Sequence, residues 1–306
     1  MLNTVENTNT PNNDREFRIK GSEKLLSIIH KLGTTERTIF GFFAIVLTMS
    51  AIALASYVNN IFLVAIPSHG GEIKEGIIGL PHSINPVLAF TDVDRDLDTL
   101  VYSGLMKYEN GNLVPDIAES YKVSDDGLVY NFKLKRNVRF HDGIPLTAKD
   151  VEFTIKKIQD ANIKSPKKAE WANINIKVVN EYEIEFSLKQ VYTPFITNTT
   201  IGILPEHIWS NIDSNQFVFS QKNLEPIGSG PYKVSNIIKN KDGIPTSYEL
   251  QAWQRYHGSE PYISKLSIFF FSNENEALNS YKNGVIESVA GISPKQANAI
   301  RAGVPE

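Results

Sequence analysis

The chain has 306 residues, 42% hydrophobic and 21% charged, with a formal net charge of −3. That length supports one or two domains with real cores, and the slightly acidic balance gives no basic surface for nucleic acid. There is no cysteine, which excludes disulfides, thiolate metal sites, a cysteine nucleophile and a lipidated cysteine as membrane anchor.

Residues 1–14 are polar without apolar periodicity, the pattern of a disordered tail. Ser22–Leu32 places Leu25, Leu26, Ile28, Ile29 and Leu32 on one helical face, with Lys20, Lys24 and Lys31 around it. Such a helix fits a membrane surface or a packed juxtamembrane position equally well. Thr38–Val58 then runs 21 residues without a charge, which as a helix spans ~30 Å, one hydrocarbon core. Arg15, Arg18, Lys20, Lys24, Lys31 and Arg37 precede this run, and the next basic residue is Lys74. The positive-inside rule therefore expects residues 1–37 in the cytoplasm, a transmembrane signal anchor over 38–66, and the remainder outside, at the cell surface or in the periplasm. Ala53-Leu54-Ala55 offers a signal-peptidase pattern, but the preceding charged region and the apolar run are both too long for an ordinary cleaved signal peptide.

Beyond the anchor, Gly70–Ile78 reads as a strand and Leu80–Pro86 as a loop. Asp92–Met106 carries Val93, Leu97, Leu100, Val101 and Leu105 at helical spacing, with acidic residues where the helix dipole favours them. Leu128–Leu134 and Tyr182–Leu188 alternate apolar and polar, the signature of half-buried strands. Mixed strands and helices make the fold class α/β.

Several stretches invite chemistry. Asp92-Val-Asp94-Arg-Asp96 begins like a calcium loop, yet Leu97 and Ser103 stand where that loop needs glycine and glutamate. Gly228-Ser229-Gly230-Pro231 fits neither nucleotide fingerprint and reads as a tight turn into a strand at Tyr232–Ile237. None of the six histidines pairs with another at helical metal-site spacing. His141-Asp142 sits in Phe140–Val151, where Asp-Gly is turn chemistry, Thr147 is a helix N-cap with Asp150 in the reach-back position, and Val151, Ile155 and Ile158 form a buried helix face. His141 is expected to cap or pack at that turn. No catalytic residue, metal ligand or cofactor is assigned.

The motifs in order carry a resemblance. Ala118-Glu-Ser-Tyr121, Asp126-Gly127, Tyr130-Asn-Phe132-Lys-Leu134-Lys-Arg136, Phe140-His-Asp142-Gly143 and Pro145-Leu-Thr147-Ala148-Lys-Asp150-Val151 resemble the signature of the family 5 extracellular solute-binding proteins, the peptide- and nickel-binding components of ABC importers. Leu113-Val-Pro115-Asp116-Ile-Ala118, Ile203-Leu-Pro205-Glu-His207-Ile208, Ile227-Gly-Ser-Gly-Pro-Tyr-Lys-Val234 and the block from Trp253 to Leu266 continue it over most of the exported chain. The resemblance implies a periplasmic-binding-protein-like type II clamshell. It assigns 72–103 and 198–270 to most of lobe I, 104–197 to an extra domain packed on lobe I, and 271–306 to the start of lobe II, with Glu274–Ile286 its first helix. Family members run on well past the position matching Glu306, so most of lobe II is expected to lie outside this sequence.

By resemblance the protein is a non-enzymatic solute-binding component of an ABC importer. It captures a di- or oligopeptide, or another small solute, in an interlobe cleft and hands it to permease subunits. Phe90, Thr91 and Asp92 match the strand-like segment that reads a peptide backbone, and Trp171 matches an aromatic that the extra domain offers to the pocket. Other classes on the same sequence are a sensor signalling through the anchor and a hydrolase on this scaffold.

Overall fold

The computed structural model describes residues 33–62 and 68–303. The amphipathic helix expected over Ser22–Leu32 and the tail 1–14 lie outside these residues, as does the end of the 38–66 span. The chain divides into two units, Met1–Ile66 and Pro67–Glu306.

The first unit contributes α1, Thr34–Phe62, within which Thr34–Asn59 is long and apolar enough to cross a membrane by length and composition. Its apolar side chains, such as Phe42, Leu47 and Leu54, are exposed.

The second unit holds two main sheets. The first is a mixed five-stranded sheet, ordered β11-β1-β10-β9-β8. It comprises β1 (Glu72–Ile78), β8 (Tyr232–Lys239), β9 (Pro245–Ala252), β10 (Lys265–Phe271) and β11 (Ser288–Ala290). β1 runs parallel to β10 and β11, while β8, β9 and β10 are antiparallel. The second sheet is wholly antiparallel, ordered β4-β5-β7-β6, from Ala118–Val123, Val129–Leu134, Glu183–Leu188 and Ile174–Asn180. A hairpin, β2 (Met106–Glu109) and β3 (Asn112–Pro115), precedes it. The helices are α2 (Asp92–Val101), α3 (Ala148–Gln159), α7 (Glu274–Lys282) and α8 (Pro294–Gly303), with single turns α4 (Lys168–Trp171), α5 (Phe195–Asn198) and α6 (Glu206–Trp209).

Both strands expected from alternation form. In β5 and β7, Tyr130, Phe132, Leu134, Ile184, Phe186 and Leu188 are buried. Their polar neighbours face the other side, as a two-residue period requires. Phe132, Phe186, Phe195 and Trp171 pack ring against ring, each side chain contributing about 2 kcal/mol by burial alone. Val151, Ile155 and Ile158 of α3 join this core, which is continuous with Leu97, Val101, Tyr248, Leu250 and Ile268 of the five-stranded half.

α2 ends at Val101, short of the expected Met106, because long-range backbone partners take over. The Val101 carbonyl accepts from Gly230 N–H at 2.8 Å, and Ser103 and Gly104 carbonyls accept from Ile203 and Ile117. Gly228 and Gly230 allow this approach: a Cβ on Gly228 would lie 2.0 Å from the Val101 oxygen. The Gly-Ser-Gly-Pro stretch is thus a backbone seam leading into β8, as the turn reading expects.

The resemblance begins lobe II at residue 271. In this segment β11 extends the first sheet, pairing with β1 from Glu75↔Ser288 to Ile77↔Ala290, and α7 packs on β1 and β10. Extending the sheet satisfies one edge of β1, which an immediate departure of the chain would leave open.

Candidate functional site

Ligands of open α/β sheets bind in the crevice outside the carboxyl ends of parallel strands. Here those ends are Ile78, Phe271 and Ala290. The long loop Gly79–Thr91 leaves the first of them, its start fixed by Gly79 N–H donating to the Phe271 carbonyl at 2.9 Å.

A buried acid organises that loop. Asp94, fully buried in the first turn of α2, accepts from His82 N–H at 2.8 Å and Ser83 N–H at 3.0 Å through Oδ1, and from Thr91 N–H at 3.2 Å through Oδ2. Asp94 N–H in turn donates to Thr91 Oγ1 at 3.1 Å, completing a capping box. An amide pair supports the far side: Asn85 Nδ2 donates to Asn223 Oδ1 at 2.9 Å, and Asn223 Nδ2 donates to the Phe217 and Val218 carbonyls. Ile84 N–H donates to the Asn223 carbonyl at 2.7 Å. Loop 79–91 and loop 217–224 are therefore one hydrogen-bonded assembly. Each carries a bare aromatic, Phe90 at 74% exposure and Phe219 at 79%.

The expected contact residues fall in two places. Phe90 and Thr91 lie together at the end of the loop, and Asp92 follows as the first residue of α2. The Phe90 carbonyl accepts from the Arg95 guanidinium at 2.6 Å, and Arg95 also pairs with the exposed Asp92 carboxylate. Trp171 is elsewhere: it is 1% exposed, within the aromatic core of the antiparallel sheet. The structure thus places its ring among core side chains and not on an open surface. Sequence reasoning missed Asn85, Asn223 and the scaffolding role of Asp94. Asn85-Pro86 reads only as a turn, since nothing local announces a partner 138 positions away, and Asp94 reads only as a helix-start acid, since no periodic pattern marks the loop amides it gathers.

His141 and Asp142 do not work as a pair. His141 is 2% exposed, with Nε2 3.0 Å from the Gly230 carbonyl and its ring edge-on to Trp253. Burial pulls its pKa down to about 4, so the ring is neutral at pH 7. Asp142 turns outward, bonding Ile144 N–H at 3.0 Å and His207 Nε2 at 2.7 Å. Histidine and carboxylate meet again inside, where His257 Nε2 lies 2.9 Å from Asp116 Oδ1. That contact, with backing from Lys107, holds the Asp116 pKa below its ordinary value against the opposing effect of burial. Each of these groups fastens one segment to another. Among the described residues no group of three or more His, Asp or Glu is placed to hold a metal ion.

Comparison with known proteins bears on what such a face serves. Residues 112–303 match the model of the bacterial extracellular solute-binding proteins, family 5. The oligopeptide-binding protein AppA of Bacillus subtilis is 32% identical over 228 residues, 72% of this chain and 40% of that protein. Its crystal structure in complex with a nonapeptide aligns with a TM-score of 0.67 at 30% identity, over 72% of this chain and 44% of that one. NikZ from Campylobacter jejuni, in complex with Ni(L-His), aligns with a TM-score of 0.62 at 30% identity, over 70% and 42%. The chain spans about two fifths of the curated relatives it matches.

Proposed function

Because this chain belongs to the bacterial extracellular solute-binding proteins, family 5, we propose that it is the solute-binding component of an ABC importer, capturing peptides and passing them to permease subunits. The carrying observation is the braced assembly of loops 79–91 and 217–224 at the carboxyl ends of parallel strands. The likeness to a protein solved with a nonapeptide supports a peptide as the solute. Phe90 and Asp92 are the proposed contacts, through an exposed ring and an exposed carboxylate. Thr91 shapes the segment, because its amide and hydroxyl are both engaged with Asp94. Trp171, within the core of the antiparallel sheet, serves as buried support of that sheet.

On this reading α1 anchors the domain, with 1–37 cytoplasmic and the domain outside. Residues 72–103 and 198–270 make up most of lobe I, 104–197 the extra domain, and 271–306 the start of lobe II. Closure of the two lobes over the solute would present it to the permease.

A second reading, a nickel–histidine chelate in place of a peptide, is favoured by the likeness to NikZ, at the same 30% identity. Calorimetric titration of the detergent-solubilised chain separates them. Saturable heat with a nonapeptide and none with Ni(L-His) is expected. Saturation by the chelate alone would reverse the assignment. Silence toward both, or nonapeptide cleavage by highly purified protein on mass spectrometry, would overturn solute binding as proposed.

A further inference from the structure

A groove of about 590 Å³ runs along α2, between that helix, the β2–β3 hairpin and the segments around Gly202 and Tyr232. Its wall is unusual in chemistry. Four tyrosines line it: Tyr102, Tyr108, Tyr232 and Tyr256. Three have their hydroxyls tied back into the protein, Tyr102 to the Ile84 carbonyl, Tyr232 to the Ile263 carbonyl and Tyr256 to Asp116. Their rings are thereby fixed as walls. Tyr108 stands exposed at the mouth.

The charges of the wall are accounted for, with one exception. Arg95 is held by the Phe90 carbonyl and Asp92. Lys107 pairs with Glu109 at 3.3 Å, and Lys167 lies 3.9 Å from Glu170. Asp116 has His257. Asp98 is the exception: its Oδ1 is closed off from solvent and has no hydrogen-bond partner among the described residues. A buried polar atom in that condition carries a desolvation penalty with nothing to offset it, which makes it a functional candidate. Burial, with Asp94 one helical turn away, pushes the Asp98 pKa well above the ordinary carboxylate range. Among the described residues no cation pairs with this acid. The terminal torsion of a carboxylate is soft, so a small rotation turns that oxygen into the groove.

We propose that this groove is a second ligand site, for a primary alkylammonium ion whose N–H groups donate to Asp98 while its charge and alkyl stem lie against the tyrosine rings. Ring faces attract cations electrostatically and alkyl groups by contact, and Asp98, which loses its proton to solvent as the cation arrives, adds a charge-assisted hydrogen bond. The site depends on residues apart from the proposed peptide contacts Phe90 and Asp92, so it stands or falls separately from peptide binding.

The test uses the solubilised full chain and n-butylammonium as probe, with n-butanol as the uncharged isostere, read by calorimetry or tyrosine fluorescence. Saturable binding of the amine and none of the alcohol is expected. Asp98→Asn keeps the shape and should weaken the amine by roughly tenfold or more. Tyr108→Ala, at an exposed position that should not disturb folding, should weaken it about threefold. Absence of saturation with the wild-type chain, equal binding of the alcohol, or unchanged affinity in Asp98→Asn would each overturn the proposal.

Discussion

The two sheets of the second unit are built on opposite plans. The β4-β5-β7-β6 sheet is drawn from Ala118–Leu188 alone, with every pair antiparallel. The five-stranded sheet joins β1 to β10 in parallel, Glu72 opposite Lys265, with most of the unit lying between them in sequence. The first is a closed structural block around an aromatic core. The second supplies strand ends and the long loop between β1 and α2, on which Phe90 stands exposed. Local pairing makes a frame, and distant parallel pairing makes a face.

Three perturbations test that contrast, the largest first. Phe132→Ala removes a fully buried ring that touches both Tyr121 and Phe186. A loss of about 3–5 kcal/mol is expected in urea unfolding. Amide exchange should quicken first across β4–β7, leaving β1 and β10 protected if the frame is a separate cooperative block; uniform acceleration would dissolve the distinction.

The second addresses the seam between the plans, where His141 from the frame meets Gly228 and Gly230 of the face. The unfolded histidine takes a proton near its ordinary value, whereas the folded one resists until about pH 4. Between those values the unfolded chain binds more protons, so stability is full above that window and is lost as pH falls through it, by at most about 3 kcal/mol. His141→Gln should flatten this slope in unfolding curves compared at roughly pH 7 and pH 4.5. A slope that survives the substitution would place the sensitivity elsewhere. The smallest effect belongs to the face: Thr91→Ala removes the α2 cap and should lower stability by about 1 kcal/mol. Faster exchange confined to the Asp94 amide, whose acceptor is the Thr91 hydroxyl, would mark it as local.

The frame was the more readable half. In β5 and β7 one face is buried and the other is not, so the alternation is written into the residues. The Thr147 helix start and the Asp142-Gly143 turn were equally plain, because their chemistry is local. β10, KLSIFFF, is half or wholly buried on both sides and carries no alternation, as expected for a strand covered on each face. The early end of α2 was unreadable for a related reason. Leu105 keeps helical spacing and is 1% exposed, yet it is buried by a chain that has already left the helix. The Asn85–Asn223 bond and the attachment of β11 to β1 depend on tertiary approach, and short-range pattern carries no trace of either.

The parallel pairing of β1 with β10 also sets a clock. Lys265 follows Glu72 by 193 positions, 265 − 72. At the usual pace of translation, that interval takes about 10–40 s. For that time β1 exists with neither neighbour, while the antiparallel block gains its last strand at Leu188 and can close before β10 is made. Loop closure over such a distance is slow and comes late. Biogenesis of the five-stranded sheet therefore has a waiting period, during which the unpaired β1 must be kept from pairing with the wrong edge.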